Sequence, residues 1–350
     1  MRGPLRSLRV WWSNSLRLQA LFRFEPRDQG GVELLIVRVA IAFVLANNFL
    51  FDLRPAAENW WPGAVEPLTG LKFFFNYQYD EQMHPSGIAN LWVITAFGDP
   101  DIFGGGGTDM TQWPLLKMAF AVALVLFCLG VSPVVSTGYV LFIVVAVGSL
   151  RNSQGNIHHG TQIVSMAMLG HWLGYVWSAI SQRDWKAAAV FGGLKAERTS
   201  FFAAGQLVAS AYVVAGVTKL LRSGPGWVWD SPNIAIQILK IGHQHYYGDG
   251  TTAPLLHAQR VSEHILEHPH LARMMLGGGL VVEFVAFLAL YNRKMGFVVG
   301  ISLVVMHAFI GYLMQLTFPL NTWIVLFYFV PLPFVLSCRW AGMRGKKGGQ

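Results

Sequence analysis

Twenty residues without a formal charge, 199–218, precede Lys219, and a tryptophan-rich stretch, "GWVWD", follows at 226–230. A lysine amine in water is protonated at neutral pH and makes a poor base, but burial disfavours the charged form. A lysine walled by apolar groups therefore becomes a usable general base. Its substrate then needs a weakly acidic proton and a body apolar enough to enter between helices. A membrane quinol meets both conditions, and a Schiff base to a carbonyl substrate would use the same neutral amine. Histidines supply the other candidate chemistry. His307 sits inside a second apolar run with Gln315 about two turns further on. In "SLRNSQGNIHHGTQ", 149–162, helical spacing puts Asn152, Asn156 and His159 on one face, with His158 about 100° away, so only one of the two histidines points into a given pocket. A third group, at 242–271, contains His243, His245, His264, His268 and His270 with Glu263 and Glu267. His264 and His268 have the i,i+4 spacing of two transition-metal ligands, but Pro269 interrupts the helix and no HExxH is present. An interfacial amphipathic segment is the reading adopted there, and no metal is assigned.

The elements that position these residues follow from composition. The chain is 53% hydrophobic and 13% charged, whereas soluble domains average about 25% charged. That balance predicts an all-α integral membrane protein. Apolar runs near the ~20 residues needed to cross ~30 Å of hydrocarbon lie at about 32–51, 114–132, 134–150, 160–180, 201–221, 274–291, 295–316 and 320–338. They predict a polytopic bundle of about eight spans over residues 32–340. Residues 1–31, with six arginines among Leu, Trp and Phe, read as a basic interfacial amphipathic helix and not as a cleavable signal. Residues 341–350 form a basic tail.

The net charge of +8 belongs to topology and not to nucleic acid. Lys and Arg concentrate at the N-terminus, 181–200, 292–294 and the C-terminal tail, which alternate as cytoplasmic segments under the positive-inside rule. Both termini are then expected inside, at the inner (plasma) membrane. Residues 52–113, with eight acidic residues against Arg54 and Lys72, and residues 222–273 are expected as two long extracytoplasmic loops. Cys128 and Cys338 lack CxxC spacing and histidine neighbours, so they read as packing residues.

Each candidate has a bland alternative. Lys219 shares a 3–4-spaced face with Gly205, Ala209, Tyr212 and Gly216, and small faces let helices approach closely in lipid. The alternative is a lysine that snorkels to the headgroups, although Arg222 is better placed to do so. His307 reads either as a pocket histidine or as a core histidine bonded to a carbonyl. The 149–162 stretch reads either as part of a site or as a hydrated turn.

Several stretches resemble one family. "YVVAGVTKL" (212–220) followed by "GWVWD" is similar to the "YFxAGxxKL…W" segment of the vitamin K-dependent γ-glutamyl carboxylase superfamily. Its bacterial members are known as horizontally transferred transmembrane domain proteins. "VVEFVAFLALYNRK" (281–294) resembles the family's Glu-bearing helix, "MHAFIGYLMQLTFPLNTWIVLFYF" (306–329) its His-bearing helix, and "LRNSQGNIHHGTQ" (150–162) the "RN…GGD" stretch before its fourth span. The resemblance covers roughly residues 115–340. It implies Lys219 as the base that deprotonates a vitamin K hydroquinone- or menaquinol-like quinol for oxygenation or epoxidation by O2. His158 or His159 then lies near the oxygenated ring and His307 is the pocket histidine. Asn152, Asn156, Tyr212, Gly216 and Trp227 are expected to hold the quinol.

Carbon dioxide and a peptide or protein substrate would enter if carboxylation is coupled. The family's paired lysines are Thr218-Lys219 here, its "GGD" is "HHG", and the carboxylase's large lumenal C-terminal domain has no counterpart in the sequence. A non-catalytic quinone- or lipid-binding subunit that assists maturation or export of a peptide is the competing expectation. A transporter is disfavoured because no pair of broken, inverted-repeat helices is evident.

Overall fold

A computed structural model describes residues 29–50, 113–152, 161–181, 193–314, 316 and 318–347. Residues 1–28 of the expected interfacial segment, residues 52–112 of the expected loop, Asn156, His158, His159 and Gln315 lie outside the described residues. Those residues fold into twelve α-helices and short 3₁₀ turns, with no strand. Four helices are long and apolar enough to cross a membrane by length and composition, five if one bent pair counts as a single span. Two compact units divide the chain, one formed by Gln29–Ala204 and the other containing everything from Gly205 onward.

The first unit is built from α1 (Gly31–Phe49), α2 (Trp113–Leu129), α3 (Pro133–Asn152), α4 (Gln162–Ser181) and the beginning of α5 (Leu194–Ser223). Successive helices pack in order, α1 on α2, α2 on α3 and α3 on α4. The α4–α5 contact is close. Gly170 and Gly174 lie one turn apart on α4, and a Cβ on either would run into backbone, of Ala203 and Ala204 in the first case and of Thr199 and Ser200 in the second. Only glycine permits that approach, the small-residue packing used where lipid removes the hydrophobic drive between helices.

Polar side chains join the same helices. Arg38 Nη1 donates to Glu197 Oε1 at 3.0 Å, Tyr175 OH donates to Glu197 Oε2 at 2.9 Å, and His171 Nδ1 lies 2.6 Å from Ser200 Oγ. Each of these contacts gives a charged or polar group a partner inside an apolar bundle, where an unpaired one is costly; Arg38 Nε is buried without a hydrogen-bond partner among the described residues.

The second unit continues through α6 (Gly226–Trp229), α7 (Ile234–Asp249), α8 (Ala253–Glu267), α9 (Pro269–Phe284), α10 (Arg293–Met314), α11 (Pro319–Tyr328) and α12 (Leu332–Lys347). Three expectations are corrected here. The stretch 222–273 is mostly helix and not a long loop: α7 and α8 form a hairpin around buried Ala235, Ile238, Ala258 and Ile265, with Ser262 Oγ donating to Ala235 O at 3.0 Å. Its apolar residues recur at helical period and bury one stripe.

The 274–291 run is not one α-helix. Its helix begins earlier, at Pro269, ends at Phe284 and tightens into a 3₁₀ turn, Ala286–Leu290. Asn292 then caps the next helix, its Oδ1 accepting from the backbone N–H groups of Lys294 and Met295 at 2.9 and 2.8 Å.

The 320–338 run is likewise broken, into α11 and α12 bent by 58°. Pro331, at the break, explains it, since proline cannot donate a helical hydrogen bond and pushes the preceding residue out of helical geometry.

Candidate functional site

The second unit contains an apolar cavity of about 430 Å³ with one charged pair in its wall. Lys219 Nζ, near the end of α5, lies 2.5 and 2.6 Å from Glu283 Oε1 and Oε2 on α9. The Lys219 side chain keeps 30% of its exposure and that of Glu283 only 8%. Lys219 thus points to a carboxylate and does not simply snorkel, while Arg222, one turn on, is exposed.

The local sequence explains how the pair and its cover are placed. Gly216, one turn before Lys219, is buried against Glu283 and Phe284, so the two helices meet closely at the level of the carboxylate. Four residues after the lysine, α5 stops: Gly224 takes φ +54°, a left-handed conformation that suits glycine, and its N–H donates to Leu220 O at 2.7 Å. Pro225 then precedes the single turn of α6, which brings the Trp227 ring to 5.3 Å from Lys219 Nζ, within cation–π range. Arg273 of α9 holds that turn by donating from Nε to Trp229 O at 3.2 Å.

Opposite walls come from α9 and α10. Gly278 and Gly279 line the cavity from α9, and a Cβ on Gly278 would meet nothing within 4 Å. Met306, Phe309 and Leu313 line it from α10, and Ile265 and Ala272 close it beside the α8–α9 corner. Such a space suits an apolar molecule carrying one polar group that can reach the Lys219–Glu283 pair.

Tyr212 and His307 form a second polar contact, Tyr212 OH lying 3.1 Å from His307 Nε2. The Phe318 ring packs edge-on against the histidine with centroids 5.6 Å apart. Neither Tyr212 nor His307 lines the cavity that holds Lys219. His307 Nδ1 and Asn321 Oδ1 are buried without a hydrogen-bond partner among the described residues, and buried groups of this kind are usually met by water or a ligand.

Of the residues expected at the site, Lys219 and Trp227 line one cavity, Gly216 backs it, and Tyr212 pairs with His307 beside it. Asn152 ends α3 in the first unit. Glu283, lying in the Glu-bearing stretch but given no role there, is the group sequence reasoning missed. The signal was present: it is the sole charged residue in the apolar run 274–291. No family model, curated protein or solved structure matches the chain.

Proposed function

We propose that the protein is a multi-pass inner-membrane enzyme of the carboxylase-like class, with both termini cytoplasmic, in which Lys219 is the base that deprotonates a membrane quinol for oxygenation. The observation that supports this reading most is the Lys219–Glu283 pair in the wall of an otherwise apolar cavity. A quinol ring with its chain fits that chemistry: the body is apolar, and one hydroxyl needs a polar partner.

Lys219 acts as a base only in its neutral form. Glu283, bonded to Nζ through both oxygens, is placed to hold the proton that the ammonium must give up. The amine then takes the proton of the quinol hydroxyl, and the electrons left on the quinol oxygen are available to O2. The Trp227 ring covers the amine and limits water beside it. Coupling to carbon dioxide and a peptide glutamate is the further step the family resemblance implies.

The fully ion-paired lysine also supports a second reading, a quinone- or lipid-binding subunit in which the pair only anchors a headgroup. Two substitutions separate the readings in nanodisc-reconstituted protein supplied with menaquinol and O2. Lys219→Arg retains a cation for Glu283 but cannot be deprotonated. As a base, Lys219 predicts retained quinol binding with turnover lower by about 10²–10⁴-fold, the range for a general base, in both Lys219→Arg and Lys219→Ala. Unchanged product formation in Lys219→Ala would sink the assignment.

A further inference from the structure

We infer that His264, Glu267 and His268 form a surface site for a divalent transition ion of the zinc, copper or nickel type. The three side chains are exposed, and one ligand atom from each lies within 4.8 Å of the other two. Two ligands on one ion at ~2.1 Å stand at most ~4.2 Å apart. Closing on the ion therefore takes only small rotations of side chains that protrude into open space.

The backbone holds two of the three in place. His264 lies in the last turn of α8, and its carbonyl accepts from His268 N at 3.0 Å; His268 O in turn accepts from Leu271 N at 2.9 Å. Pro269 ends the helix there, and His268 leaves helical geometry at φ −124°, ψ 64°. The imidazoles meet edge to face with centroids 4.7 Å apart, and Glu267 adds a carboxylate to the same corner. Two imidazoles and one carboxylate suit borderline ions better than magnesium or calcium, which prefer all-oxygen shells. The end of α8 also presents its partly negative carbonyls, which favour a cation.

The location gives the site a consequence. Ile265 and Ala272, on either side of this corner, both line the cavity. An ion bridging His264 to His268 fixes the turn between them, and with it that part of the cavity wall. This inference does not depend on the quinol reading.

The test uses the full chain, purified without a polyhistidine tag, held in detergent micelles and stripped by a chelator. Zinc is titrated in competition with a chromogenic chelator, and Cu²⁺ spectra are recorded in parallel. The expected result is one tight zinc equivalent and imidazole nitrogen hyperfine structure from copper. Both are lost in His264→Ala/His268→Ala and retained in His243→Ala/His245→Ala, while circular dichroism stays unchanged in both. No zinc uptake by the wild type, or an equivalent that survives in His264→Ala/His268→Ala, overturns the assignment.

Discussion

Glu283 sets the terms on which Lys219 works. An ammonium and a carboxylate at hydrogen-bond distance sum to no net charge, so the cavity favours a neutral guest; an anion would have to displace Glu283 from the amine. Replacing the acid by an isosteric amide separates its charge from its shape. Glu283→Gln is expected to leave the cavity intact and to slow quinol turnover through loss of the proton acceptor, with quinol binding unchanged. Because Lys219 remains about one-third exposed, water compensates part of the lost pairing. The stability cost should be about 1–2 kcal/mol, below the 3–5 typical when a fully buried pair is broken. Thermal unfolding in detergent and single-turnover kinetics read the two effects separately. Lys219 and His307 were legible in the sequence because each interrupts an apolar run. Glu283 interrupts one just as plainly, but a sequence carries no lateral distances, so neither its pairing with Lys219 nor the Tyr212–His307 contact could be read from it.

At the scale of elements, the helices themselves were largely legible and their interruptions less so. Apolar runs located α1 to α5 and α10 to within a few residues, apart from the extension of α5 back to Leu194. The α7–α8 hairpin was hidden because its exposed histidines and charges outweigh a narrow apolar stripe. The α11–α12 bend was in principle readable from Pro331. The glycines at 277–279 conveyed nothing until the cavity gave them a position. Gly278 and Gly279 line the cavity beside Met275, Leu276 and Leu280 of the same helix, which yields a test that leaves the charged pair untouched. Gly278→Leu projects a side chain into space where a Cβ meets nothing, so it should fold normally and weaken binding of a quinone analogue by about tenfold or more, the effect of losing ~1.4 kcal/mol of contact. Equilibrium binding measured by tryptophan quenching checks it, and undiminished affinity would mean that guests do not use this cavity.

For the molecule as a whole, charge distribution makes the strongest statement beyond the fold. Under the positive-inside rule the basic segments lead to the expectation that 181–200 and the C-terminal tail face the cytoplasm and the α7–α8 connection the opposite side. With Cys128 and Cys338 replaced by serine, Lys186→Cys and Lys347→Cys should react with an impermeant thiol reagent only in inverted vesicles, and Thr251→Cys only in intact cells. The reverse pattern would invert the topology and place the α8–α9 corner in the cytoplasm. Whatever the orientation, the three glycines of α9 carry an entropic consequence. Each makes helix formation about 0.8–1.0 kcal/mol less favourable than alanine would, so the run lowers the local folding free energy by roughly 2–3 kcal/mol. The segment that bounds the cavity is therefore the one where α9 opens most readily, and a guest that seats there binds to the softest stretch of an otherwise regular helix.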